Sequence, residues 1–312
     1  MKAWQFRSVN EPLALVELDD PIAGPGEVIV APRFAGLCHT DTAYMDGTLT
    51  KYLGTVPIVL GHEIAGDVVE IGSDVTGFAI GDRVAVRANS AGPGTGVDGG
   101  YATRVRTSAQ WLVPVPDSVS YEQAAVATDA GLTAYHALTA RGEVKSGYKV
   151  GIIGAGGLGH LGIQFALALG ASVYVAEIGD AQREACRKYA ISGLGRSILE
   201  FASEDLDVII DYAGFGITTS EAVEAVKFGG QVVLVGIGVP EFTLSSLLVG
   251  KEAELFGSLN GTKDDLEQVL AILAAGQAEA HTETIEFAQI PDGLERLATG
   301  KVRGRLVASI PS

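Results

Sequence analysis

The segment KVGIIGAGGLGHLGIQ, residues 149–164, sets the tightest limit on what this chain can fold into. An apolar run, a glycine-dense turn and a second apolar stretch of helical character follow one another without a spacer. That is the strand–turn–helix rhythm of a βαβ unit. The rhythm continues: SVYVAE reads as strand, DAQREACRKYA as helix, LDVIIDYAG as strand, TTSEAVEAVK as helix and GQVVLVGIG as strand. Near-continuous apolar strands alternating with helices are buried on both faces, so this half predicts a parallel, doubly wound α/β sheet.

The first 115 residues or so have a different texture. GEVIVAPRFAGL, EIAGDVVEIG, GDRVAVRA and YATRVRT are short β-rich runs cut by Gly, Pro and Asp, which predicts a compact barrel-like β domain. A helical segment, SYEQAAVATDAGLTAYHALTA, leads into the α/β half, and the tail adds a helix and a last β run. The 312 residues suffice for two domains with sizeable cores. No apolar run has the length and continuity of a membrane helix, and the N-terminus lacks a signal peptide's apolar centre. Two cysteines, Cys38 and Cys186, do not make a disulfide framework, and a cytoplasmic location is expected. A net charge of −16 disfavours nucleic acid and anionic membrane and points to small-molecule partners.

Gly154, Gly156 and Gly159, with Gly157 and Leu158 between, fit GxGxxG after a strand and before a helix. The first glycine makes the turn, the second admits a pyrophosphate, and the third lets helix pack on strand. Glu177 ends the next strand 23 residues after Gly154, with Ile178 following. An acid there holds ribose hydroxyls and repels a 2′-phosphate, so NAD is favoured over NADP. The competing reading of Glu177 is a solvated strand-end acid. Arg183 and Arg187, on the following helix, are able to soften the discrimination.

Cys38 in FAGLCHTD and His62-Glu63 in VLGHEIAGDVVEIG offer thiolate, imidazole and carboxylate, a donor set that suits zinc. Each alone reads as an ordinary buried residue. Asp129 lies in the apolar stretch EQAAVATDAGLTAYHAL. An acid buried there must bind a cation or hydrogen-bond donors, or else cap the helix AGLTAYHAL.

GLCHTD, GHEIAGDVVEIG, GDRV and GIIGAGGLGHLGIQ, in this order, resemble the zinc-containing medium-chain alcohol dehydrogenases over nearly the whole length, to the closing GKVRGRLV. The GHExxGxxxxxG pattern of Gly61, His62, Glu63, Gly66 and Gly72 carries the resemblance most specifically. It implies a GroES-like catalytic domain at 1–129 and 259–312 and a Rossmann domain at 130–258. By the same resemblance Cys38 and His62 are zinc ligands, Glu63 is an acid able to enter the shell, and Asp129 stands where many members place a cysteine. Which of Asp129 and Glu63 persists as third ligand stays open. Asp41 matches the acid that orients the ligand histidine, His39 a basic residue at the cofactor pyrophosphate, and Thr40 the hydroxyl that takes the substrate proton. Ile237, Ser258 and Leu259 match positions near the nicotinamide, and Arg305 one at the pyrophosphate, with a surface arginine as the alternative. Pocket candidates are Tyr44, Leu49, Tyr52 and Trp111.

Three departures from the family pattern stand out. Ala43 occupies the position where many members end the proton relay in histidine. NSAGPGTGVDGGYA carries none of the four cysteines that hold a structural zinc, so one catalytic zinc is expected. The stretch between CRKYA and LDVIIDYAG is short, as if one strand–helix unit were trimmed. The resemblance implies NAD-dependent interconversion of an alcohol and its aldehyde or ketone by a homodimer or homotetramer. The alternative is a zinc-free NAD(P)H reductase of enones or quinones.

Overall fold

The computed structural model describes every residue except 239, 240, 245 and 312, with Leu247 described by its backbone alone. The chain divides into two compact units, one of Met1–Asp129, Thr262–Ala274 and Ala280–Ser312, the other of Ala130–Gly261 and Ala275–Glu279. The return to the first unit thus falls at Thr262 rather than at Leu259, and 275–279 pack with the second.

The first unit is built on a seven-stranded sheet among the described residues. Its spatial order is Thr282–Glu286, Arg305–Ser309, Glu27–Gly36, Glu63–Ile71, Arg83–Val86 and Leu112–Pro114, with Val105–Ser108 also paired to Glu27–Gly36. The long pairing of Glu27–Gly36 with Glu63–Ile71 is antiparallel and sets Gly36 opposite Glu63. Cys38 lies two residues beyond one partner and His62 one residue before the other, so the register itself brings the thiol and imidazole segments together. Strand Arg305–Ser309 pairs with the same end, Val307 opposite Gly36. The apolar core of this unit gathers Phe6, Leu37, Leu60, Tyr101, Ile290 and Leu306.

Among the described residues the second unit carries a six-stranded sheet whose adjacent strands all run parallel. Its order is Gly193–Gly195, Ser172–Ala176, Lys149–Ile153, Leu206–Asp211, Val226–Leu234 and Glu254–Gly257. Counted along the chain this is 3-2-1-4-5-6, the doubly wound order with its reversal between Lys149–Ile153 and Leu206–Asp211. The unit that looked trimmed is short: its strand has three residues, Gly193–Gly195, and Ile198–Glu204 forms a 3₁₀ helix.

Two tail elements escape the sequence patterns, strand Thr282–Glu286 and helix Ile290–Ala298. Pro291 and Gly293 look like breakers. Proline in the first turn of a helix costs no hydrogen bond, however. At Gly293 a Cβ would stand 2.7 Å from Ile285 Cδ1 and 2.8 Å from Leu37 Cδ2, so glycine is what lets this helix pack closely.

Candidate active site

Cys38 caps the short helix His39–Met45, its sulfur 3.5 Å from the Thr40 amide nitrogen and 3.5 Å from Thr40 Oγ1. Glu63 begins the strand paired to the one that leads into Cys38, and His62 directly precedes it. Asp129 arrives from the helix that follows Tyr121–Val126, inside a wide π turn spanning Ala127–Gly131. Such turns re-aim a side chain within a helix and recur at functional sites. The π turn overturns the helix-cap reading of Asp129, because the helix continues through it and its carboxylate turns toward Cys38 and His62.

One ligand atom from each of Cys38, His62, Glu63 and Asp129 lies within 4.8 Å of the others, and all four residues are buried. Asp129 Oδ2 is 3.6 Å from both Cys38 Sγ and His62 Nε2. On the far side of the ring, His62 Nδ1 stands 3.3 Å from Asp41 Oδ1. Sulfur, imidazole nitrogen and carboxylate oxygen converging in a buried pocket are the donor chemistry of a zinc site. Asp41 thus stands at the outer nitrogen, where the partner of a metal-binding imidazole is usually found, although the contact does not meet hydrogen-bond geometry.

Glu63 and Arg305 complete the cluster. Arg305 Nε donates to Glu63 Oε2 at 3.0 Å, Nη2 donates to Glu63 Oε1, and Nη2 also lies 3.3 Å from Asp129 Oδ2. Gly36 makes the room: a Cβ there would fall 1.8 Å from Glu63 Oε2. Arg305 is 2% exposed, so the surface-arginine reading fails, and its guanidinium is committed to the two carboxylates rather than presented to solvent. Burial pushes the Glu63 carboxyl up to about 7, against the downward pull of Arg305. Burial opposes charge on Asp129 as well, but His62 and Arg305 outweigh it and hold that carboxyl well below its ordinary range. His62 is held well above the usual imidazole value, since Asp41 and Asp129 overcome the burial that disfavours its charge.

Thr40 is half-buried next to the sulfur, and His39 is exposed at the start of the same helix. Ala43 is half-buried on that helix. Of the pocket candidates, Tyr44 is buried in the core of this unit, Leu49 packs against that core, Trp111 is half-buried and Tyr52 is exposed.

In the second unit every expected cofactor position follows the C-terminal end of a parallel strand. The glycine turn follows Lys149–Ile153, Glu177 and Ile178 follow Ser172–Ala176, Ile237 follows Val226–Leu234, and Ser258 and Leu259 follow Glu254–Gly257. Open α/β sheets bind ligands at this edge, next to the reversal of strand order. Gly154 has φ +83°, and a Cβ on Gly159 would meet the Gly154 carbonyl oxygen at 1.8 Å, so both positions require glycine. A Cβ on Gly156 would meet nothing within 4 Å, which leaves that backbone open to a ligand. Helix Gly159–Ala168 has no side-chain cap at Leu158; within its first turn the His160 amide donates to the Gly156 carbonyl and the Leu161 amide to the Leu158 carbonyl. Glu177 accepts from the amides of Ala155 and Gly179, both at 2.7 Å, and so ties the loop after its strand to the glycine turn. Ile178, Ile237 and Leu259 are exposed, at 75%, 68% and 75%. The Ser258 hydroxyl is buried without a hydrogen-bond partner among the described residues.

Two features of the sites were not anticipated. Asp211, fully buried at the end of its strand, accepts from the Ala213 and Gly214 amides and from the Thr218 and Thr219 hydroxyls at 2.8–3.0 Å. Tyr101, also fully buried, donates to Asp41 Oδ2 at 2.8 Å. Burial and Asp41 push its phenol well above the ordinary value, so it keeps the proton it donates. The only sequence hint was a tyrosine after paired glycines in VDGGYA.

Residues 24–117 match the alcohol dehydrogenase GroES-like domain, and residues 157–275 match the zinc-binding dehydrogenase domain. An alcohol dehydrogenase of Geobacillus stearothermophilus is 30% identical over 344 aligned positions, covering 99% of this chain and 100% of the relative. The chain belongs to the zinc-type medium-chain alcohol dehydrogenase family. This dehydrogenase superimposes on the alcohol dehydrogenase of Aeropyrum pernix with a TM-score of 0.90 at 28% identity, covering 100% of both chains. It also resembles the acetophenone reductase of Geotrichum candidum, solved with NAD, with a TM-score of 0.89 at 31% identity over 99% of this chain and 96% of that one. These neighbours carry the expected pairing of a GroES-like and a Rossmann-type domain, as the two units do here. Aligning 312 residues over 344 positions means the Geobacillus relative carries segments that this dehydrogenase lacks. Among the described residues no helix is long and apolar enough to cross a membrane.

Proposed function

We propose that this dehydrogenase interconverts an alcohol and its aldehyde or ketone with NAD, using one zinc ion held by Cys38, His62 and Asp129, with Glu63 as the adjacent acid. The observation that carries this reading is the convergence of the four ligand atoms within 4.8 Å in a buried pocket. When bound, zinc supplies a Lewis acid that favours the ionised hydroxyl and polarises the carbonyl, and NAD supplies the hydride acceptor.

The protein's own groups do the rest. Thr40, next to the Cys38 sulfur, accepts the proton of the substrate hydroxyl. With Ala43 on the same helix, the onward proton goes to water or another group rather than to a histidine at that position. Asp41 fixes the imidazole of His62. Arg305 holds Glu63 beside the pocket and offsets the carboxylate charge there. The glycine turn and the helix behind it receive the pyrophosphate, and Glu177 receives the ribose hydroxyls and disfavours NADP. Burial and the nearby Arg305 hold the His39 imidazole below its usual value, so it supplies no fixed positive charge. Ile178, Ile237, Ser258 and Leu259 line the path of the dinucleotide.

The test is turnover with NAD on a panel of primary aliphatic, secondary and aryl alcohols, with zinc content measured on the same sample. Oxidation of at least one alcohol class that fails after replacement of Cys38 by serine supports the reading. Reduction of an enone by protein free of zinc would favour a zinc-independent reductase.

A further inference from the structure

We infer that Tyr101 is a positioning residue for zinc: its hydroxyl fixes the Asp41 carboxylate, and through it the imidazole of His62, so that metal retention depends on a phenol that never touches the ion.

Asp41 is a fully buried junction. Its Oδ2 accepts from the Cys38 amide at 3.1 Å and from Tyr101 Oη at 2.8 Å, and its Oδ1 accepts from the Gly61 amide at 3.3 Å. The carboxylate therefore stitches together the backbones that carry the two ligands Cys38 and His62. Its contact with His62 Nδ1, at 3.3 Å, falls short of hydrogen-bond geometry, and that nitrogen has no other partner among the described residues. A carboxylate that rotates by a few degrees makes or breaks this contact, so whatever holds the carboxylate sets the imidazole. Of its three donors the Tyr101 hydroxyl is the nearest, and it is the one that comes from a side chain.

The surrounding backbone holds Tyr101 in place. The segment Gly99–Ala102 runs along the stretch that leads into His62: the Gly99 amide donates to the Val59 carbonyl, Gly100 to Gly61 and Tyr101 to Leu60, at 2.7–3.1 Å. The Tyr101 carbonyl in turn accepts from the Trp4 amide at 2.8 Å. The ring presses on Gly61, the residue before His62. Gly61 has φ +89°, and a Cβ there would stand 2.5 Å from Tyr101 Cδ1. Glycine at the start of the GHE motif is thus needed twice, for its backbone angle and for the ring beside it. Gly36 O lies 3.3 Å from the same hydroxyl, but the single phenolic proton goes to the nearer, charged acceptor.

The inference rests on the zinc reading above, and the experiment separates the two. Zinc is titrated into Tyr101→Phe and parent protein against a chromophoric chelator, and zinc loss into excess chelator is timed. Phenylalanine keeps the ring and removes only the donor. The expected result is zinc binding weakened about tenfold, at the lower end of what loss of an outer partner of a ligand histidine costs. In the Asp41→Asn background the same substitution has no further effect, because Tyr101 acts through Asp41. A purely structural role would lower the unfolding midpoint and leave zinc affinity alone. Parent protein that binds zinc beside a Tyr101→Phe variant that binds it equally well or better overturns the role of Tyr101 only. Additive losses in the double variant also overturn it. Parent protein that takes up no zinc overturns both readings. Should Tyr101→Phe not fold, a fluorinated tyrosine placed at position 101 keeps the shape and changes only the donor strength. Zinc retention then moves away from the parent value, and unchanged retention refutes the inference.

Discussion

Arg305 and Glu63 form an ion pair with both side chains shut away from water, at 2% and 0% exposure, joining strand Arg305–Ser309 to strand Glu63–Ile71, which follows His62. A cation in that position lets two carboxylates, Glu63 and Asp129, face one pocket without leaving it strongly negative. It also explains why burial lifts the Glu63 carboxyl only to about 7.

Removing one partner of such a pair leaves a buried charge uncompensated. Arg305→Met is expected to destabilise the protein by about 3–5 kcal/mol, whereas Arg305→Met with Glu63→Leu recovers much of that loss. Urea denaturation of the three proteins checks it. A single variant within about 1 kcal/mol of the parent would mean that the pair is solvated in solution.

Asp129 supplies a hard oxygen where a thiolate would be softer. Asp129→Cys is expected to retain zinc longer than the parent during dialysis against chelator, and Asp129→Ala to lose it fastest. Timed metal analysis decides this, and equal rates for all three would remove Asp129 from the ligand set.

Glu177 accepts from two amides, and the proposed function gives it the ribose as well. Glu177→Ala is expected to weaken NADH binding about 10–100-fold, the worth of charged hydrogen bonds, and to weaken NADPH much less. Fluorescence titration of both nucleotides measures the difference. Equal losses would assign Glu177 to loop structure alone.

Cys186 is 1% exposed, and burial, aided by the charge of Glu177, pushes its thiol up to about 11 from 9.0. The fold therefore favours the protonated thiol. Its contribution to stability is complete below about pH 9 and is lost as pH rises through about 11, amounting to at most about 2–3 kcal/mol. Cys186→Ala is expected to flatten the decline in stability over that range, as followed by denaturation at several pH values. An unchanged slope would show that the thiol ionises freely in the folded protein.

Much of this was legible in the chain because the chemistry is local. A turn that needs glycine at Gly154 and Gly159 announces itself, and so does a cysteine or histidine placed at a strand end. The convergence of Cys38 and His62 was implied by their segments but is delivered by a strand register that no local pattern reveals. Asp129 was ambiguous for the same reason, since a π turn, not a cap, sets its direction. Arg305 read as a cofactor or surface residue because its partner Glu63 lies 242 positions away in sequence. Helix Ile290–Ala298 was hidden by Pro291 and Gly293, whose tolerance depends on Leu37 and Ile285 packed against it. Tyr101 left only the faint hint of VDGGYA, because its importance lies in what its hydroxyl reaches.

The most direct test of the account is zinc per chain, measured by elemental analysis of protein purified without added metal. The account predicts about one zinc ion per chain, lost together with alcohol oxidation in Cys38→Ser. Alcohol oxidation at full rate by protein containing no zinc would contradict it and reduce the Cys38, His62, Glu63 and Asp129 cluster to a buried polar network.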